Sequence, residues 1–234
     1  MARRSLSFPE SWKDLLIGGE KTAIPWTDSL DKRAIPFCLI TIVAGVGIYG
    51  ASIGLWQGPK MALFVAIKLP LVIAITLLLN GLFNGILAQL LGSRLSFAQT
   101  TLAVLTAFSV FAIIVGSLSP ITLGMAWDAP APDSPRGPET HRRLILIHTG
   151  IIAFAGLAST YRLHRLLRYF TSSTDSARNC LIGLISGNLF LGAQISFLMR
   201  PIFGHPGLKI EFLRPDMFEG NFYESIWWAL KHSF

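Results

Sequence analysis

The chain has 234 residues, of which 52% are hydrophobic and only 14% charged, and its mean hydropathy is +0.54. Soluble domains carry about 25% charged residues, so this composition excludes an ordinary water-soluble domain and predicts a polytopic membrane protein. The formal charge of +7 does not point to nucleic acid, because the basic residues flank apolar segments, as the positive-inside bias and contact with anionic lipid headgroups require.

At the amino terminus, Ser7-Phe-Pro-Glu10 has the spacing of a capping box, with Pro9 in an early helical position. Phe8, Trp12, Leu15 and Leu16 share one helical face, and Gly18-Gly19 ends it. The pattern predicts a short interfacial helix with Trp12 at headgroup level, or else a docking helix for a cytoplasmic partner.

Ala34 to Leu55 is the first span and is retained, since no small-residue cleavage site follows it. Met61 to Gly92 is the second; as one helix it would rise about 48 Å against about 30 Å of hydrocarbon, so it tilts, kinks at Pro70 or leaves the bilayer. Phe97 to Leu118 is the third, followed by Pro120 and a proline-rich surface loop from Ala129 to Pro138. Leu144 to Tyr161 is the fourth and Cys180 to Met199 the fifth. Between them, Tyr161 to Phe170 reads as a helical continuation out of the lipid. Arg162, Arg165 and Arg168 recur on one side, toward headgroups, and leucines lie on the other.

With five spans, eleven basic residues outside them fall on the amino-terminal face and eight on the opposite face. The positive-inside rule then places the amino terminus in the cytoplasm and the carboxy terminus outside. Cys38 and Cys180 have no metal-ligand spacing and read as small buried hydrophobes near one face. The expected fold is an all-α bundle of about five transmembrane helices with interfacial amphipathic helices at both ends. Residues 1–33 form a cytoplasmic interfacial segment, 34–199 the membrane domain, and 200–234 an extracytoplasmic turn and interfacial helix.

Lys68 is the one charge deep in an apolar segment, where an ammonium costs at least about 2.5–3.5 kcal/mol. Its stem can snorkel to the outer headgroups; the competing readings are an anion or proton site, or a partner for Asn80 or Asn188. Asn80, Asn84, Gln89, His148, Thr149, Asn188 and Gln194 either line a polar pathway or hydrogen-bond between helices, with Gly183 and Gly187 permitting close approach. From Ala34 to Trp127 there is no Asp or Glu, which counts against cation coupling. The sequence carries no catalytic signature, and its histidines are dispersed. No enzyme activity, cofactor or metal is expected.

The carboxy-terminal segment is the most patterned. Arg200 ends a helix before Pro201, and Gly204 and Pro206 turn the chain around His205. Asn221-Phe-Tyr-Glu224 then opens an amphipathic helix bearing Phe222, Ile226, Trp227, Trp228 and Leu230, too short to cross the membrane. Arg200 and Arg214 are expected to meet Glu224, and Asn221 to cap this helix, so that it is held against the end of the bundle. The contrasting picture is a loosely adsorbed helix whose charges meet only water and headgroups.

This segment, from Gln194-Ile-Ser-Phe through Arg200-Pro-Ile-Phe-Gly-His-Pro206 to Asn221-Phe-Tyr-Glu224, resembles a bacterial family of uncharacterised integral membrane proteins. They end similarly in Gln-x-Ser-Trp, Arg-Pro-Phe-x-Gly-x-Pro and Asn-Phe-Tyr/Phe-Glu. Phe197 stands here where the family commonly has Trp, and Ile202 precedes Phe203. The resemblance implies a bacterial multi-pass membrane protein and no particular substrate. Interfacial elements without catalytic motifs predict a non-catalytic subunit or scaffold of an inner-membrane complex, partnered by lipid and other membrane subunits. A transporter or channel component using the polar residues near Lys68 is the alternative, and a membrane enzyme ranks third.

Overall fold

A computed structural model describes residues 12–18, 20–205, 207 and 209–224. The Ser7–Glu10 capping box, Pro206, and Ile226, Trp227, Trp228 and Leu230 of the expected amphipathic helix lie outside them. Six α-helices follow one another: α1 Glu20–Ser29, α2 Ala34–Gly54, α3 Pro59–Leu90, α4 Phe97–Asp128, α5 Gly137–Phe170 and α6 Thr174–Leu198. The molecule is an all-α polytopic bundle. Helices α2 to α6 are each long and apolar enough to cross a membrane, which fits a multi-pass membrane protein.

Small residues set the packing order. Helix α2 is central and lies against α3 and α4. A Cβ added at Gly45 would overlap the Ala112 carbonyl of α4, and one at Gly116 would lie 2.9 Å from the Gly45 Cα. One turn further on, Cβ atoms at Gly50 and Gly54 would come within 2.6 and 2.5 Å of the Val65 and Met61 carbonyls of α3. Backbones that approach this closely gain van der Waals contact that lipid cannot replace. Helix α6 stands at the edge, on α3 and α5, with 11% of its apolar window buried against 50% for α4. Cys38 and Cys180 are fully buried.

Three boundaries depart from expectation. Helix α4 does not stop at Leu118 but runs through Pro120 to Asp128. Proline removes one backbone donor there, yet the helix continues; beside it Ser119 donates to the Val115 carbonyl at 3.1 Å and Thr122 to the Ser119 carbonyl at 3.1 Å. The added turns are anchored by the Ser52–Thr122 hydroxyl pair at 2.6 Å and by Ala126 packed with Trp56 and Leu144. Helix α5 begins before Leu144, at Gly137, and continues to Phe170 as the arginine–leucine pattern indicates, burying Leu163, Leu166 and Leu167.

Helix α1 is the third departure, lying where no helix is expected. It buries Ala23, Trp26 and Thr27 and packs against α4 and α5. Before it, Trp12 donates to the Thr41 hydroxyl of α2 at 2.9 Å rather than standing at headgroup level, and Leu15 is fully buried. Arg162, expected toward headgroups, donates to the Leu16 carbonyl. A charged donor to a backbone carbonyl is one of the stronger hydrogen bonds. Arg165 and Arg168 are exposed as expected, Arg165 with its guanidinium 5.8 Å from the Tyr161 ring. Across this end, Arg94 donates its N–H to the Phe170 carbonyl at 2.9 Å.

Candidate functional site

At the far end of the bundle, residues 199–224 fold back over the mouths of α2, α3 and α5 as a cap. Pro201 has no N–H to continue α6, so the helix ends at Leu198 and the chain turns. Arg200 clamps the turn. Its guanidinium lies 3.9 Å from the centre of the Phe197 ring and donates to the carbonyls of Phe197 at 3.2 Å, Asp216 at 2.8 Å and Glu219 at 3.4 Å. The Asp216 carboxylate is 3.4 Å away. The expected Glu224 partner is therefore replaced by Asp216. Asp216 lies in the turn directly opposite Arg200, whereas Glu224 is exposed beyond the following cap.

The turn presses its two apolar residues onto the bundle. Ile202 and Phe203 pack on the main core, with the Phe203 ring 5.9 Å from that of His148. Gly204 has φ +63, where a side chain is strained, and lies so close to Gln57 that a Cβ would force the carboxamide aside. Lys68 meets this turn. It is 0% exposed, donates to the Pro201 carbonyl at 2.7 Å, and its ammonium lies 5.2 Å from the centre of the Phe212 ring. Lys68 does not snorkel, because the cap brings a carbonyl and an aromatic face within its reach. Nor does it meet Asn80, which is about 18 Å further along the same helix.

Two aromatic pairs extend the site. His148, 2% exposed, has Nδ1 2.9 Å from the Tyr49 hydroxyl of α2. His141 stacks on Trp56 at 5.8 Å and meets the His205 ring at 5.3 Å, while Trp56 donates to the Pro130 carbonyl at 2.8 Å. Sequence reasoning missed Tyr49, Trp56 and Gln57. Their polar tips near a span end are the available signal, and it is equally that of an aromatic belt.

The remaining polar residues fall into two groups. Gln194 joins the cap: its carboxamide oxygen accepts from the Phe222 N–H at 3.1 Å. Tyr223 stacks on Phe190 at 5.1 Å and donates to the Phe190 carbonyl at 2.8 Å, and Asn221 accepts from the Glu224 N–H at 2.9 Å, the expected capping bond. Asn80 and Asn84, each 2% exposed, lie instead in the α3–α6 seam, where a Cβ at Gly187 would stand 2.9 Å from the Asn80 amide nitrogen. Asn188 donates to Leu184 at 2.7 Å, but its oxygen, the Asn80 Nδ2 and the Asn84 Oδ1 have no partner among the described residues.

Under the cap, a cavity of about 320 Å³ opens between the start of α3 and residues 204–216. Met61, Pro201 and Ile210 supply apolar walls, and Lys209, Glu211, Arg214 and Asp216 supply charge of both signs. Arg214 thus lines this cavity instead of pairing with Glu224. Among the described residues no group of three metal-ligating side chains converges. Comparison with family models, with curated proteins and with solved structures gave no match.

Proposed function

We propose that the chain is a non-catalytic subunit or scaffold of a bacterial inner-membrane complex, in the family that its carboxy-terminal motif resembles. One observation carries this reading: the motif residues take part in fastening the cap. Gln194 holds the Phe222 backbone, Arg200 gathers the Asp216 and Glu219 carbonyls, Gly204 presses on Gln57, and Asn221 caps the next turn. A motif that builds a rigid surface, with Lys68 and His148 spent on internal contacts, suits presentation to a partner subunit better than turnover of a substrate. Affinity isolation of the intact chain from its native membrane is expected to retain a stoichiometric integral partner. Solute flux by the lone protein in vesicles would overturn the reading and favour the transporter alternative, for which the unpartnered amide atoms of the α3–α6 seam are the specific support.

The amino terminus is assigned to the cytoplasm. Two basic segments, the one before α2 and the one ending α5, adjoin through Arg162 and Leu16, so the positive-inside bias acts on both in the same sense. A cysteine replacing Asp133 is expected to react with an impermeant thiol reagent in whole cells, and one replacing exposed Arg168 only after permeabilisation. The reverse pattern would invert the orientation.

A further inference from the structure

The capped cavity has a chemistry that the subunit reading does not use. Lys209, Glu211, Arg214 and Asp216 all line it, together with Met61, which is fully buried. Among the described residues the side chains of Lys209, Glu211 and Arg214 form no ion pair, and Asp216 is engaged only from outside, by Arg200 at 3.4 Å. Opposite charges that share one cavity without meeting leave the Coulomb attraction to a guest. A ligand of single sign would satisfy one pair and face repulsion from the other. A ligand with an anion and an ammonium a few bonds apart satisfies both.

The volume is at the small end of the range for small-molecule sites, which begins at about 300 Å³. The cavity also adjoins the first turn of the membrane helix α3, which presents Leu63, Ile67 and Leu71 outward at successive turns. A headgroup-sized volume and charges of both signs thus occur together at the end of a membrane-spanning helix that also exposes an aliphatic stripe.

We propose that this cavity binds a phosphoethanolamine group. The phosphate accepts hydrogen bonds from Arg214 and Lys209, for which a guanidinium fork is the geometrically matched donor. The ammonium donates to Glu211 and Asp216. The same chemistry is offered by the headgroup of an aminophospholipid and by free phosphoethanolamine, and the proposal stands whether or not the chain is a complex subunit.

The test uses the full chain in detergent, with binding followed by native mass spectrometry and thermal stabilisation. The probes are short-chain phosphatidylethanolamine, phosphatidylglycerol and phosphatidylcholine, and free phosphoethanolamine. Phosphatidylethanolamine is expected to bind, with phosphatidylglycerol and phosphatidylcholine each weaker by about tenfold or more, because one lacks the ammonium and the other its N–H donors. Arg214→Gln and Glu211→Gln should each weaken binding by about tenfold or more, and Lys209→Gln, at an exposed position, provides a variant that leaves the cap intact. If free phosphoethanolamine binds as tightly as the lipid, the ligand is the soluble amine; if only the lipid binds, the aliphatic stripe takes part. Equal binding of phosphatidylglycerol, binding unaffected by all three variants, or no binding of either phosphoethanolamine species overturns the proposal.

Discussion

Gly116→Leu should strongly destabilise the bundle. A Cβ there stands 2.9 Å from the Cα of Gly45 and 3.3 Å from its carbonyl oxygen, so the obstruction is backbone and cannot move to another rotamer. Overpacking ordinarily costs about 1–3 kcal/mol, and a contact between two backbones belongs at or beyond the upper end. The same crossing joins the central helix to α4, which carries much of the core. Gly124→Leu is the internal control: nothing lies within 4 Å of a Cβ at that position in the same helix. Unfolding in detergent, by heat or by denaturing surfactant, should show loss of stability for the first and a change within about 0.5 kcal/mol for the second. Equal behaviour of the two would mean that α2 and α4 do not meet at this point.

Lys68→Met should free the cap while leaving the bundle folded. The methionine fills most of the volume of the lysine stem, so the apolar packing of Met61, Val65 and Val72 on the same helix face is retained. What disappears is the charged donor to the Pro201 carbonyl, together with the ammonium's contact with the Phe212 ring. A hydrogen bond from a charged group contributes about 1.5–3 kcal/mol, so cap opening should become about 10–150-fold more frequent. Hydrogen exchange over 209–224 reads this directly, with amides in α2 and α4 as the unaffected reference. A snorkelling lysine would leave exchange in the cap unchanged, and that result would remove Lys68 from the mechanism of closure.

Lys68 also shows why contacts of this kind escape a reading of the chain alone. Its side chain is long enough for headgroups and long enough for an interior carbonyl, and the two outcomes differ only once a segment 133 positions away is seated beside it. Arg200 poses the same problem with its acids: Asp216, Glu219 and Glu224 all follow within a few turns of chain, and the geometry of the turn selects Asp216. Helix α1 was illegible for a different reason. Pro25 lies inside it and its composition is mixed, so helix propensity is poor, and its stability comes from burying Trp26 and Ala23 on elements that form far along the chain.

The sequence by itself determined the five apolar segments, the extension of the arginine–leucine helix to Phe170, the break after Arg200 and the Asn221 cap. Each follows from transfer out of water or from bonds a few residues apart, which composition and spacing record. The tertiary structure alone decided that α4 passes Pro120, that Arg162 holds the amino-terminal segment, and that Lys68, His148 and Gln194 serve the cap while Asn80 and Asn84 enter the α3–α6 seam. Those choices are among partners of similar chemistry at long sequence separation. Their energies differ only through distance and burial, which are properties of the packed bundle.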